Sequence, residues 1–369
     1  MESLWVIFIL LLALQEGSSR CNKHKDCYTC INHKTWSNGR CRWCPLDQSC
    51  HAKWSLRNHC IRLSFDSGYQ CRTVDNSNDK LSYNADEAYK LALFSAIAYS
   101  DVPAKCLTEL FPRSDYSLVS VLVKKCDDFY FDYEKQCQAL VAYSTRNKEI
   151  IVSYRGTRGE KQVVDQVLAV IGIPSVSSGV GGKVQKYFNN VHSKFYRDIK
   201  YLLQDLIQWF PGYKVKLTGH SLGGAAASIA SAMLVKNNVL KSDQILLYTF
   251  GMPRVGNKRY ALAHDRLVPY SWRVVRSGDA VARLPICRLG TCTLFNGPYH
   301  HGKKVLYTDS EMDKDSNYIV CNGNEDSKSK CENNSRRKRR FVDTLINKHK
   351  LYFNIPIGTY CRDHILKKS

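Results

Sequence analysis

The stretch KVKLTGHSLGGAAASIASAM, from Lys214 to Met233, constrains this chain more than any other. A short β-rich run ends in a serine between two glycines and continues directly into an alanine-rich helical pattern. Strand, tight turn and helix in that order put Ser221 on an elbow that only small neighbours permit, hence Gly219 and Gly223. The helix that follows aims its first backbone N–H groups at the place where negative charge would develop on a reacting group. Gly224 and Ala225 to Ala227 allow that helix to lie close against a sheet.

The rest of the chain supplies such a sheet. QALVAYS and KEIIVSYRG are two β-rich runs around a polar turn at Thr145–Lys148, which predicts a hairpin. ILLYTFG and WRVVRSG read as further buried strands, and ADEAYKLALFSAIAYSD as a helix. From Tyr187 to Phe210 apolar residues recur at helical spacing (Phe188, Val191, Phe195, Ile199, Leu202, Leu206, Phe210), ending at Pro211-Gly212. Strands alternating with helices predict an α/β fold with a mostly parallel sheet covered on both faces. No internal repeat is visible.

The first 71 residues are of another kind. An apolar run from Leu4 to Leu14, followed by small and polar residues, reads as a removed secretory signal over residues 1–19. The run is too short to span a bilayer comfortably, and no later stretch is long and apolar enough, so a stable transmembrane anchor is not expected. Eight of the 16 cysteines then crowd between Cys21 and Cys71. In an exported chain this reads as a small disulfide-held domain over residues 20–71. The pairs Cys27-x2-Cys30 and Cys41-x2-Cys44 also have the spacing of zinc knuckles, but export and the additional cysteines argue for disulfides over metal. Residues 72–82 are polar and turn-forming, a linker, and a larger globular domain follows over residues 83–369. With 54 Lys and Arg against 33 Asp and Glu, the chain carries a formal charge of +21. That favours contact with anionic lipid or glycosaminoglycan; nucleic acid is not a partner an exported protein meets.

A nucleophilic serine requires a base, and the base an orienting carboxylate. Asp279 stands just beyond the strand WRVVRSG, where open sheets gather their sites; Asp265 competes, but no strand leads into it. Four histidines follow Asp279: His300, His301, His349 and His364. The oxyanion donors would be the N–H of Leu222, directly after the serine, and Thr157, after the strand IIVSYRG and its Gly156. Arg155 reads as structural, a partner for Asp165.

Several segments, taken together, resemble one family. VSYRGTRG, LTGHSLGGA, YTFGMPRVGN, WRVVRSGDAVARLP and YHHGKKVLY occur in the order and phrasing of the class 3, fungal-type triacylglycerol lipases, and the likeness runs from about Tyr83 onward. The cysteine-rich start, with C-x-W-C around Trp43, resembles a plexin–semaphorin–integrin (PSI) repeat, and the combination looks most like the secreted class 3 lipases of nematodes. The resemblance implies an α/β-hydrolase preceded by a small domain of four disulfides. It implies a serine ester hydrolase acting on acylglycerol esters at a lipid interface, with Ser221 as nucleophile, Asp279 as orienting acid and His300 as base, and Thr157 and Leu222 as oxyanion donors. No cofactor and no metal is implied. His300 is preferred to His301 because the family's acidic position falls four residues after its histidine; here that position is Lys304, a departure. A lipase-like protein that only binds lipid or anionic surfaces, and an acyltransferase using the same site, are the alternatives.

The resemblance implies that the apolar segment between Thr157 and the long helix is a lid that covers Ser221 in water and opens against lipid; an ordinary packed helix is the alternative. Asn333 is the N-glycosylation acceptor, and a basic run from Arg336 to Arg340 follows it. Cys287 with Cys292, and Cys321 with Cys331, could each close a small loop, leaving the pairing of Cys106, Cys126, Cys137 and Cys361 open.

Overall fold

The computed structural model describes residues 21–24, 27–33, 41–44, 49–52, 55, 82–112, 116–126, 136–156, 175–285, 297–309, 311–321 and 347–365. The chain divides into two compact units, Met1–Lys80 and Leu81–Ser369.

In the first unit a helix, Cys27–Asn32, accompanies an antiparallel pair of strands, Cys41–Cys44 and Ser49–Ala52. Disulfides Cys21–Cys41 and Cys30–Cys50 cross-link it, and their four sulfur-bearing residues are its buried centre. Cys27 and Cys44 are disulfide-bonded as well, so all four cysteines of the knuckle-like pairs are oxidised and none offers a thiolate to zinc. Few apolar side chains are available here, and covalent links replace the core they would have made.

The second unit is built on an eight-stranded sheet in which every strand pairs with its neighbours in chain order: β1 (Tyr116–Lys125), β2 (Gln136–Ser144), β3 (Glu149–Tyr154), β4 (Lys214–His220), β5 (Ile245–Phe250), β6 (Ser271–Arg276), β7 (Lys303–Tyr307) and β8 (Tyr318–Cys321). Strands β3 to β7 are parallel, while β2 pairs antiparallel with both β1 and β3 and β8 antiparallel with β7. The expected mostly parallel sheet is therefore its centre. Helices α1 (Ala85–Ile97), α2 (Pro103–Leu110), α3 (Lys186–Trp209), α4 (Leu222–Lys236), α5 (Lys258–Leu267) and α6 (Tyr360–Ile365) complete the framework.

Alternation along the strands feeds two cores. Ile151, Leu246, Tyr248 and Phe250 pack with Leu91 and Phe94 of α1 and with Tyr352, Phe353 and Ile355 near the C-terminus. Ile150, Val152, Ile245 and Leu247 face the other way, onto Phe195 and Ile199 of α3 and Ala226 and Ala230 of α4. Each such large side chain contributes about 1.5–3 kcal/mol by leaving water. Helix α3 occupies the span its periodicity predicts; Gln185 caps it, its side chain accepting from the N–H groups of Tyr187 and Phe188. Helix α4 is buried nearly all round, and its alanines let it sit against the sheet.

The amino-terminal ends of β3 and β4 carry a compact charge cluster. Glu149, only 2% exposed, takes Lys90 at 2.7 Å and also pairs with Lys216, which reaches Glu87 at 2.8 Å; Tyr116 donates its hydroxyl to Glu149. The two disulfides left open by spacing are Cys106–Cys361, joining α2 to α6, and Cys126–Cys137, at the β1–β2 hairpin. Among the described residues no helix is long and apolar enough to cross a membrane.

Candidate active site

Strand β4 ends at His220 and α4 begins at Leu222, so Ser221 alone makes the turn. It does so at φ 56°, ψ −127°, a conformation that L-residues rarely adopt and that costs on the order of 1–3 kcal/mol. The surroundings enforce it. A methyl group on Gly219 would lie 2.4 Å from the backbone of Gly223, and one on Gly223 would lie 2.2 Å from the Tyr154 carbonyl oxygen. The turn after β3, residues 154–156, thus leans directly on the serine turn. The N–H of Ser221 donates to the Phe250 carbonyl at 2.8 Å, and its side chain is 1% exposed with Oγ left without a hydrogen-bond partner among the described residues.

Asp279 follows β6 after Gly278, which sits at φ 87°. The carboxylate is fully buried and saturated: Oδ1 accepts from the N–H groups of Val281 (2.8 Å) and Ala282 (3.3 Å), and Oδ2 from the hydroxyl of Tyr352 (2.6 Å). The remaining donor is His349, whose Nδ1 lies 2.9 Å from Oδ2 and 3.1 Å from Oδ1. Burial alone would raise the Asp279 pKa; the His349 ring and the donated hydrogen bonds outweigh it and hold the carboxyl below its ordinary value. With Nδ1 committed to Asp279, Nε2 of His349 is buried and has no hydrogen-bond partner among the described residues. Room for this pair exists because Gly251, at φ 59°, has no side chain. A methyl there would stand 2.7 Å from Asp279 Oδ2 and 2.8 Å from the His349 ring.

His300, the histidine favoured from the family resemblance, is held elsewhere. Its Nε2 donates to the Ala282 carbonyl at 2.9 Å, and burial, with Arg273 and Arg254 nearby, holds its pKa well below the ordinary histidine value. The ring does not reach Asp279, both of whose oxygens are taken by His349, Tyr352 and two backbone donors. His301 bonds the Ser228 hydroxyl of α4 through Nε2 at 2.8 Å and lies against the His264 ring at a tilt of 42°, ring centroids 3.8 Å apart. His364, on α6, bonds the Tyr360 carbonyl. Asp265 accepts from the N–H of Gly302 at 2.6 Å and so fixes the turn that follows the two histidines.

Arg155 bonds the Gln136 carbonyl and the Gln138 side chain, tying the end of β3 to β2. Asp165, its expected partner, lies outside the described residues, as do Thr157, the lid segment before residue 175, Cys287 with Cys292, Cys331, Asn333 and the basic run at 336–340. Leu222 is buried as the first residue of α4.

The structure adds residues that sequence reading did not single out. His220 is 4% exposed, and its ring lies 4.6 Å from that of His349. Tyr352 completes the shell of Asp279, and Tyr99 reaches His220. The available signal was faint: His349 and Tyr352 are three residues apart, a spacing that turns both toward one partner only after the chain folds back.

Residues 151–289 match the family Lipase (class 3). The chain is 30% identical over 295 residues to lipase ZK262.3 of Caenorhabditis elegans, covering 75% of this chain and 81% of that one. It is 31% identical over 189 residues to secreted mono- and diacylglycerol lipase 1 of Fusarium solani, covering 50% and 53%. A solved triacylglycerol lipase whose catalytic centre is formed by a serine protease triad superposes with a TM-score of 0.59 at 25% identity, over 75% of this chain and 96% of that one. With the nematode relative matched over most of both lengths and the same sheet recovered in solved lipases, the chain belongs to the class 3 lipases, carboxylic ester hydrolases of the α/β-hydrolase fold.

Proposed function

We propose that this chain is a secreted lipase that cleaves acylglycerol esters with Ser221 as nucleophile, His349 as general base and Asp279 as its orienting acid. One observation carries the reading. Ser221 Oγ and His349 Nε2 are both buried without a hydrogen-bond partner among the described residues, and the neighbours of each touch the other. His220 precedes Ser221 and lies against the His349 ring, while Phe250, which holds the Ser221 N–H, precedes the Gly251 that makes space for His349.

Nε2 of His349 takes the hydroxyl proton as Ser221 Oγ bonds to the ester carbonyl carbon. The N–H of Leu222 and Thr157 hold the tetrahedral oxyanion, whose collapse breaks the bond to the alcohol; the alcohol leaves with the proton from His349. Water then gives a proton to His349 and attacks the acyl-enzyme, and the fatty acid departs as Ser221 is reprotonated. Asp279 stays ionised, fixing the Nδ1–H tautomer of the imidazole and stabilising the imidazolium. Secretion is supported by the apolar leader, the disulfides and the secreted Fusarium relative.

The test is labelling and turnover on the purified chain. Ser221→Ala is expected to abolish both covalent labelling by a fluorophosphonate and fatty-acid release from a triacylglycerol emulsion. Labelling that persists in the variant, or a labelled wild type that transfers acyl groups to an alcohol but never to water, overturns the reading.

A further inference from the structure

His220 has a second set of contacts that the triad does not account for. Its Nε2 lies 2.8 Å from the backbone carbonyl oxygen of His349, and its Nδ1 lies 3.1 Å from the hydroxyl of Tyr99. A carbonyl only accepts, so Nε2 carries the proton, Nδ1 is left as an acceptor, and the Tyr99 hydroxyl donates to it. The ring also meets Tyr352 edge-on, 5.8 Å between centroids, and Tyr352 is the residue whose hydroxyl serves Asp279. The same Tyr99 hydroxyl lies against the turn after β3. A methyl on Gly156 would fall 2.1 Å from the Tyr99 hydroxyl and 2.6 Å from the His220 carbonyl. Four separate pieces of chain therefore converge on two side chains: the end of α1, the Gly156 turn, the serine elbow and the segment that carries His349.

We propose that Tyr99 and His220 are positioning residues for the base: the run Tyr99 hydroxyl, His220 imidazole, His349 carbonyl clamps the main chain of His349 so that its Nε2 addresses Ser221. The inference rests on His349 being the base. The clamp suits a base that becomes charged during the reaction. His220 meets His349 ring to ring at 4.6 Å, and a second cation at that distance would oppose the imidazolium. Burial first, and then His349 itself, push the His220 pKa down to about 3, so it stays a neutral donor wherever the enzyme works. The clamp also ties the base to the turn expected to hold the oxyanion, so both are registered against Ser221 through the same hydroxyl.

The experiment compares His220→Ala, His220→Gln, Tyr99→Phe, Tyr99→Phe/His220→Ala and His349→Ala. Turnover is expressed per site titrated with fluorophosphonate, so misfolded protein is not counted. His220→Ala is expected to lower kcat about 10- to 100-fold with KM within twofold, since an ångström of misplacement has a cost of that order. Gln, whose amide N–H can still reach the carbonyl, is expected to recover much of the loss. Tyr99→Phe, which removes one oxygen, is expected to lower kcat about fivefold. The double variant is expected to be no slower than His220→Ala alone, because both act through one chain of bonds. The downfield Nδ1–H proton resonance of His349 should broaden in His220→Ala and sharpen again in His220→Gln. Full kcat per titrated site in His220→Ala or in Tyr99→Phe, or strictly multiplicative losses in the double variant, overturns the clamp. Retained turnover in His349→Ala instead overturns the assignment of the base.

Discussion

His349 Nδ1 sits 2.9 Å from Asp279 Oδ2, across 70 residues of sequence, with both side chains fully buried. His300, only 21 positions after Asp279, bonds a carbonyl instead. His349→Ala is therefore expected to lower kcat by about 10⁴-fold or more, as loss of a triad base does. His300→Asn should keep kcat within about tenfold and mainly cost stability, since the bond it breaks goes to the Ala282 carbonyl and not to Asp279. Kinetics of the two variants on one soluble ester make the comparison; an inactive His300→Asn with an active His349→Ala would reverse the assignment.

Gly251 is where the site is least tolerant of added volume. Its φ of 59° and the 2.7 Å approach to Asp279 Oδ2 leave no place for a methyl group. Gly251→Ala is expected to cost about 1–3 kcal/mol of stability through backbone strain, and roughly 100-fold in kcat by displacing the Asp279–His349 pair. Thermal melting and steady-state kinetics on the same preparation separate the two effects.

Buried neutral histidines set the acid limit of the fold. Burial lowers His192 to about 4, and burial together with His349 lowers His220 to about 3, from an ordinary value of 6.5. Below pH 6.5 the unfolded chain binds protons at these sites that the folded chain does not. Stability therefore rises with pH through this window and falls as the solution is acidified. Between pH 7 and 5 the two sites remove on the order of 3 kcal/mol. Urea midpoints at the two pH values should show the loss, and His192→Leu should remove nearly half of it; an unchanged slope in that variant would exclude His192 as a contributor.

At the opposite rim, Glu149 neutralises Lys90 and Lys216 where little water reaches. Glu149→Gln leaves Lys90 and Lys216 sharing the Glu87 carboxylate and is expected to destabilise the fold by about 3 kcal/mol. Fluorophosphonate labelling of the molecules that remain folded should be unaffected, because Ser221 lies at the far end of β4.

The elbow at Ser221 was legible because it demands so much of its neighbours: a run of strand residues, two glycines and a row of alanines leave few other arrangements. Asp279 was legible because it follows directly from a buried strand. The long helix α3 was legible from period alone. His349 was not, because NKHKLYF has neither a strand of useful length before it nor a distinctive neighbour. Its partnership arises when the chain end folds back along the α1 face of the sheet. Order along the chain allowed four histidines, and the family phrasing of YHHGKKVLY favoured His300, whereas the ring that meets Asp279 is that of His349. The carboxylate's donors come from the turn at 281–282 and from the distant segment 349–352, which no single local window contains. The Glu149 cluster was hidden for the same reason: Glu87, Lys90, Glu149 and Lys216 meet only across a finished sheet.

Because Cys106 is joined to Cys361, the backbone between them is one large ring, and His349 lies inside it. A single break of the peptide chain anywhere from residue 322 to residue 346 would open that ring without detaching the piece that bears the imidazole. Such a nicked molecule would migrate as two polypeptides under reducing conditions and as one under oxidising conditions, and only chemical reduction could carry the base away from its serine.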